Sequence, residues 1–216
     1  MRIHGVAKFV FWTALTIGLV LGLLRVFLVQ TWTIPDDDPT LSASLAPALA
    51  GGQFVLVGQG LPRSLGNLVR CIDPTNPQRW VVGRIAGLGG DTVEVTDGRL
   101  AINGKAVPST HACKPATVEI LHPNTDSDIE LRCDMEDLGG VLHMRARNGQ
   151  LQSSAMSMKR TVPPGTFFLV SDNRAFPYDS FTYGAVPVET CDARVVFRIW
   201  GAEGFGDADS RFVWIH

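Results

Sequence analysis

The chain is short of lysine, of net charge and of paired cysteines. Among its 216 residues lysine occurs only at Lys8, Lys105, Lys114 and Lys159. The formal net charge is −2, so the basic excess expected of a nucleic-acid binder is missing. Charged residues make up only 19% of the chain, and the mean hydropathy is +0.14, a tilt that comes partly from the N-terminus. Cys71, Cys113, Cys133 and Cys191 form no Cys-x-x-Cys pair, which argues against a zinc or redox motif and leaves no cofactor or metal expected. There is no internal repeat, no low-complexity tract and no long amphipathic helical pattern. The length leaves room for one anchor and one ordinary domain.

What is present begins with an apolar run. Phe9 to Leu24 carries no charge, and Val26 to Val29 extends the run past Arg25. Phe9 to Val29 is the roughly 20 residues that cross a hydrocarbon core. Arg25 lies near its far end, where a long stem can snorkel. Arg2 and Lys8 precede the run, and after Arg25 no Lys or Arg appears until Arg63. This asymmetry predicts residues 1–8 in the cytoplasm, a transmembrane helix over 9–29 and an extracytoplasmic domain over 30–216. Trp12 and Trp32 stand at the two ends, as interfacial anchors do. A cleavable signal fits less well, because Arg25 interrupts the run and Pro35 with its aspartates makes a poor cleavage site. Outside the cytoplasm a disulfide is permitted. Cys113 with Cys133 is the preferred pair, since both flank one polar stretch; four reduced, buried thiols are the alternative.

Beyond the stiff spacer Pro35-Asp36-Asp37-Asp38-Pro39, short strand patterns follow one another. Gln53 to Val57, Arg79 to Ile85, Thr92 to Val95 and Arg99 to Ile102 read as strands, and Asn103-Gly104 reads as a hairpin turn. Thr166 to Val170 and Arg194 to Trp200 resume the buried-strand pattern. The stretch 109–159 is polar and reads as an inserted β-ribbon. The predicted class is mostly β, with a single N-terminal helix.

Three segments carry chemistry. The first is Ser42-Ala43-Ser44-Leu45-Ala46-Pro47-Ala48-Leu49, followed by Gly52-Gln53 and a strand. The second is Gly83-Arg84-Ile85-Ala86-Gly87-Leu88-Gly89-Gly90-Asp91. The third is Ser171-Asp172-Asn173-Arg174, continuing to Asp179-Ser180. In this order, behind an anchor, they resemble the bacterial signal peptidase I family, membrane-bound serine proteases that remove leader peptides. The resemblance implies Ser44 as nucleophile and Ser42 as a hydroxyl lent to the oxyanion hole. It implies Arg84, Asp172, Asn173, Arg174, Asp179 and Ser180 as supports, and Leu45, Ile85 and Ala86 as walls of shallow pockets for a leader bound as an added strand. Core packing is the alternative for those three.

A serine hydroxyl needs a base within hydrogen-bond reach. The family uses a lysine, and that position is Gly83 here. The family serine that bonds the lysine falls on Pro177, and the arginine that pairs with Asp179 falls on Phe181. Base and two supporting groups are therefore replaced together, as expected when a buried polar network loses its central charge. None of His111, His122, His143 and His216 stands in the lysine's place, and Arg84 stays protonated. The sequence thus points to leader peptides and the bilayer as partners, with the export machinery a further candidate. Two functions stay open: a membrane-anchored endopeptidase with an impaired site, or a non-catalytic relative that binds preproteins or envelope partners.

Overall fold

A computed structural model describes residues 3–125, 127–148 and 157–216. Along the chain run α1 (Ile3–Phe27), β1 (Val29–Thr33), α2 (Pro39–Leu45), β2 (Phe54–Gln59), β3 (Leu68–Asp73), β4 (Asn76–Leu88), β5 (Thr92–Thr96), β6 (Arg99–Ile102) and β7 (Lys105–Ala106). Then come β8 (Ser109–Leu121), β9 (Asp128–Leu138), β10 (Val141–Arg147), β11 (Met158–Thr161), β12 (Thr166–Val170), α3 (Ser180–Tyr183), β13 (Val186–Pro187), β14 (Cys191–Trp200) and β15 (Val213–Trp214). The class is mostly β.

The main sheet has eight strands in the order β1-β2-β14-β3-β4-β12-β13, with β15 paired to β14. Both of its faces are buried, as the alternation along β3 and β4 requires. Leu68 and Val82 pack with Leu41, Leu45 and Leu49 of the α2 segment. Val69, Val81 and Ile85 pack with Leu169, Tyr183 and Val186. A four-stranded sheet, β11-β5-β6-β7, and a three-stranded sheet, β10-β9-β8, complete the fold. A third cluster, with Val93, Leu100, Leu138 and Phe168, ties these sheets to the main one. Gly87 sits at this junction: a Cβ there would lie 2.6 Å from Val93 Cγ2, so only glycine lets the strands approach.

The predicted span meets two corrections. The helix ends at Phe27, and Val29 opens β1, which pairs with β2 from Val29↔Gly58 to Thr33↔Phe54. β-Branched and aromatic residues at 29–33 find a strand partner, which overrides the apolar run. Trp32 is accordingly no interfacial anchor: it packs on the core, with the Arg70 guanidinium 5.1 Å from its ring centroid. Among the described residues no helix is long and apolar enough to cross a membrane.

Two disulfides form. Cys113–Cys133 joins β8 to β9, as preferred from the sequence. Cys71–Cys191 joins β3 to β14 inside the core and was not anticipated.

Candidate active site

The Ser42–Ser44 segment is helical, not a loop. Asp38 caps α2 by accepting a hydrogen bond from Leu41 N at 2.9 Å, and Pro39 occupies the first turn, where its missing N–H costs nothing. Leu41 and Leu45 anchor the helix to the main sheet. Ser44 is fully buried, and its Oγ donates to Leu41 O at 2.8 Å. Ser42 Oγ accepts from Gly51 N at 2.9 Å, pinning the chain that leads into β2.

A helix end leaves carbonyls without partners. Asn173 supplies them: its Nδ2 donates to Ala43 O at 2.8 Å and its backbone N to Ser44 O at 3.1 Å. Its Oδ1 accepts from Ala175 N and Phe176 N, which fixes the amide's orientation. The first and third segments therefore meet through one asparagine.

The base position lies on β4, in register with Val69 of β3. Alternation puts position 83 on the face of Val81 and Ile85, whereas Val82 packs with Leu41 and Leu45. A Cβ at Gly83 would lie 3.1 Å from both Leu169 Cβ and Val170 O. A side chain there meets β12 before it meets α2. No described hydrogen bond joins Ser44 to a lysine or a histidine. Lys159 pairs with Glu94 at 3.8 Å, His111 bonds Thr110, and His122 accepts from Asn124 N beside the Phe176 ring.

Phe181 and Asp179, the positions that the resemblance ties to the base, have apolar or backbone partners. Phe181 packs edge-on against Phe168, with ring centroids 4.8 Å apart. Asp179, without an arginine at 181, caps α3 by accepting from Phe181 N at 3.0 Å and also accepts from Ser171 N at 3.3 Å. Burial pushes its carboxyl pKa up, against the pull of those N–H groups and Arg174. Ser180 Oγ accepts from Leu169 N at 2.9 Å, tying α3 to β12. Leu45, Ile85 and Ala86 are buried in three different core clusters rather than exposed along a groove.

Arg84 makes a two-pronged pair with Asp172, Nε to Oδ1 at 2.7 Å and Nη2 to Oδ2 at 3.1 Å, both side chains buried. Its Nη1 reaches Gly66 O at 3.0 Å and His216 O. Beyond it lies a network absent from the sequence reading. His143 Nε2 stands 3.4 Å from Glu136 Oε2 and 3.8 Å from Asp172 Oδ1. Glu136 also takes Arg145 at 3.0 Å and Arg174 at 2.8 Å. Burial alone would raise the Glu136 carboxyl; the Arg174 charge, His143 and Arg145 hold it down to about 2. Glu136 and Asp134 alternate on one face of β9, and His143, Arg145 and Arg147 on one face of β10. That period-two charge pattern was the available signal. The polar insert is thus a wall of the site: Ala146 N donates to Asp172 O, and Arg174 N donates to Ala146 O.

A buried serine segment, an Arg-x-x-Gly-Leu strand and an Asp-Asn-Arg clamp, in this order, describe a serine-peptidase class of scaffold. The family model "Signal peptidase, peptidase S26" matches residues 6–200, and the chain belongs to that family. It is 25% identical over 189 residues to a signal peptidase I of Bacillus caldolyticus, covering 86% of this chain and 87% of that one. It is 33% identical over 174 residues to a signal peptidase I of Pseudomonas fluorescens, covering 73% of this chain but only 56% of that one. A crystal structure of a signal peptidase I from Enterococcus faecalis is 24% identical, with TM-score 0.38 over 62% of this chain and 97% of that one, a likeness too loose to place residues.

Proposed function

We propose that this chain is a membrane-anchored member of the signal peptidase family that receives leader peptides without cutting them, Gly83 standing where a Ser–Lys dyad needs its lysine. The carrying observation is the pairing of Ser44, buried with its hydroxyl committed to Leu41 O, with Gly83, which has no side chain and where a Cβ would press on β12 at 3.1 Å. An unactivated serine is a poor nucleophile, and loss of a triad-type base leaves only the slow rate that oxyanion donors sustain.

Three features support the anchored, extracytoplasmic reading. Past Lys8 the described side chains of α1, from Phe9 and Trp12 to Leu21, are apolar and exposed around the helix except for Thr13 and Thr16, whose hydroxyls bond to the helix's own carbonyls, the pattern of a helix clothed by lipid. Phe205, Phe212 and Trp214 form an exposed aromatic surface beside β14 and β15. Two disulfides suit an oxidising compartment. On this reading leader peptides, the bilayer and the export machinery are the partners.

The test uses full-length protein in detergent and a leader-bearing preprotein with a photo-crosslinker near its cleavage point. The expected result is crosslinking without cleavage, identical in Ser44→Ala. Cleavage by the unaltered chain that disappears in Ser44→Ala would overturn the proposal and assign a base among the histidines.

A further inference from the structure

A cavity of about 480 Å³ opens at the seam between the four-stranded and three-stranded sheets, away from Ser44. Its volume falls within the roughly 300–1,000 Å³ of small-ligand sites. Arg99 of β6 and Arg145 and Arg147 of β10 line it, with Asp134 the one carboxylate among its walls. Asp134 is already occupied: its Oδ2 accepts from Arg147 at 2.6 Å and from Arg145 at 3.2 Å. Burial works against the Asp134 carboxylate, but those two arginines hold its pKa below the ordinary range, so it stays charged. Arg99 has no ion-pair partner among the described residues. Arg145 is buried, and its Nε finds no acceptor. Positive charge therefore exceeds negative in the walls.

Two hydroxyls add donors. Ser109 Oγ reaches Met135 O at only 3.4 Å, a long bond that a better acceptor replaces easily, while Thr110 Oγ1 lies 3.5 Å from Met135 O and 3.0 Å from His111 Nδ1. Guanidinium forks match planar or tetrahedral oxyanions in pairs of parallel bonds. Arg99, exposed and without an ion pair among the described residues, and Arg147, which spends only its Nε on Asp134, leave guanidinium donors at the cavity and with the wall hydroxyls ask for more acceptor oxygens than one carboxylate carries; a phosphate group supplies them.

From this arrangement we infer that the seam between β6 and β10 is a binding site for a phosphate-bearing anion, gripped by Arg99 and Arg147 and bridging the two smaller sheets. The inference is independent of the leader-peptide reading, because none of its residues belongs to the three motif segments. The shared chemistry is the phosphate; its source is a lipid headgroup or a free phosphate compound.

The experiment is isothermal titration of the full chain in detergent with inorganic phosphate, at constant ionic strength, with chloride as control. Saturable binding of phosphate alone is expected. Arg99→Ala and Arg147→Gln should each weaken it about tenfold, the scale of one charge-assisted hydrogen bond. Arg99→Lys should recover part of the loss. Arg99 is exposed and unpaired, so its truncation leaves the fold intact, which a melting curve checks. A second arm adds phosphatidylglycerol or phosphatidylcholine to the micelles and reads the melting temperature. A rise with phosphatidylglycerol alone, abolished by Arg99→Ala, supports the site with a lipid headgroup as source. Binding of inorganic phosphate without a lipid effect supports it with a free phosphate compound. Equal responses to phosphate and chloride with no lipid effect overturn the inference. So does any phosphate or lipid response left unchanged by both Arg99→Ala and Arg147→Gln.

Discussion

Gly83 and Arg84 are neighbours on one strand and inhabit opposite worlds. Position 83 looks onto apolar and backbone atoms of β12, Leu169 Cβ and Val170 O. Position 84 enters a buried chain of ion pairs that reaches Asp172, and through His143 to Glu136, Arg145 and Arg174. On the proposed reading Gly83, Pro177 and Phe181 stand where a base and its supports would be, while Arg84, Asp172, Glu136, Arg145 and Arg174 keep their ion pairs. The difference teaches that the charged framework around a peptidase-type site has a structural purpose of its own. It holds the β10 strand against the Asp172–Arg174 clamp, and the clamp holds α2, whether or not a base is present.

That comparison breaks most visibly at Arg84. Arg84→Ala leaves Asp172 buried and unpaired and should cost about 3–5 kcal/mol, read from the urea midpoint. Asn173→Ala should cost about 1–3 kcal/mol by stranding the Ala43 carbonyl and the Ala175 and Phe176 N–H groups while the backbone bond to Ser44 O remains, with α2 the first element to lose amide-exchange protection.

Acid attacks the same framework. Glu136 is held at about 2 against an ordinary 4.5, a depressed acid pKa. Its stabilisation is therefore complete above pH about 4.5 and fades as pH falls toward 2, by a few kcal/mol in all. Glu136→Gln should flatten that acid limb of the stability profile; an unchanged limb would remove Glu136 from the account.

On the other side of the strand, Gly83→Ala should cost about 1–2 kcal/mol, because its Cβ forces β12 outward by a few tenths of an ångström. Gly83→Lys should be destabilised likewise and gain no leader cleavage, with Pro177 and Phe181 still in place. Restored cleavage would show that the loss is confined to one residue. The smallest effect belongs to Lys159→Ala, whose exposed pair with Glu94 at 3.8 Å should contribute less than about 0.5 kcal/mol.

Much of this was legible in the residues. The strands near 53–57, 79–85 and 166–170 announced themselves by β-branched runs, and the three motif segments gave the family that the match over 6–200 shows. β3 escaped because Arg70 and Asp73 interrupt its apolar run. Both are buried: Arg70 lies over the Trp32 and Trp80 rings beside Asp192, and Asp73 accepts from Thr75 and Tyr178. The insert read as a polar excursion for the same reason, since Glu136, His143 and Arg145 become interior only once their partners arrive from other strands. Cys71 and Cys191 are 120 residues apart, a separation across which spacing carries no pairing signal.

The strand order carries a consequence in time. β14 lies between β2 and β3, so the last long strand to leave the ribosome completes the centre of the sheet on which α2 and Ser44 rest. The serine segment therefore has no complete sheet beneath it until the chain has been made through Trp200.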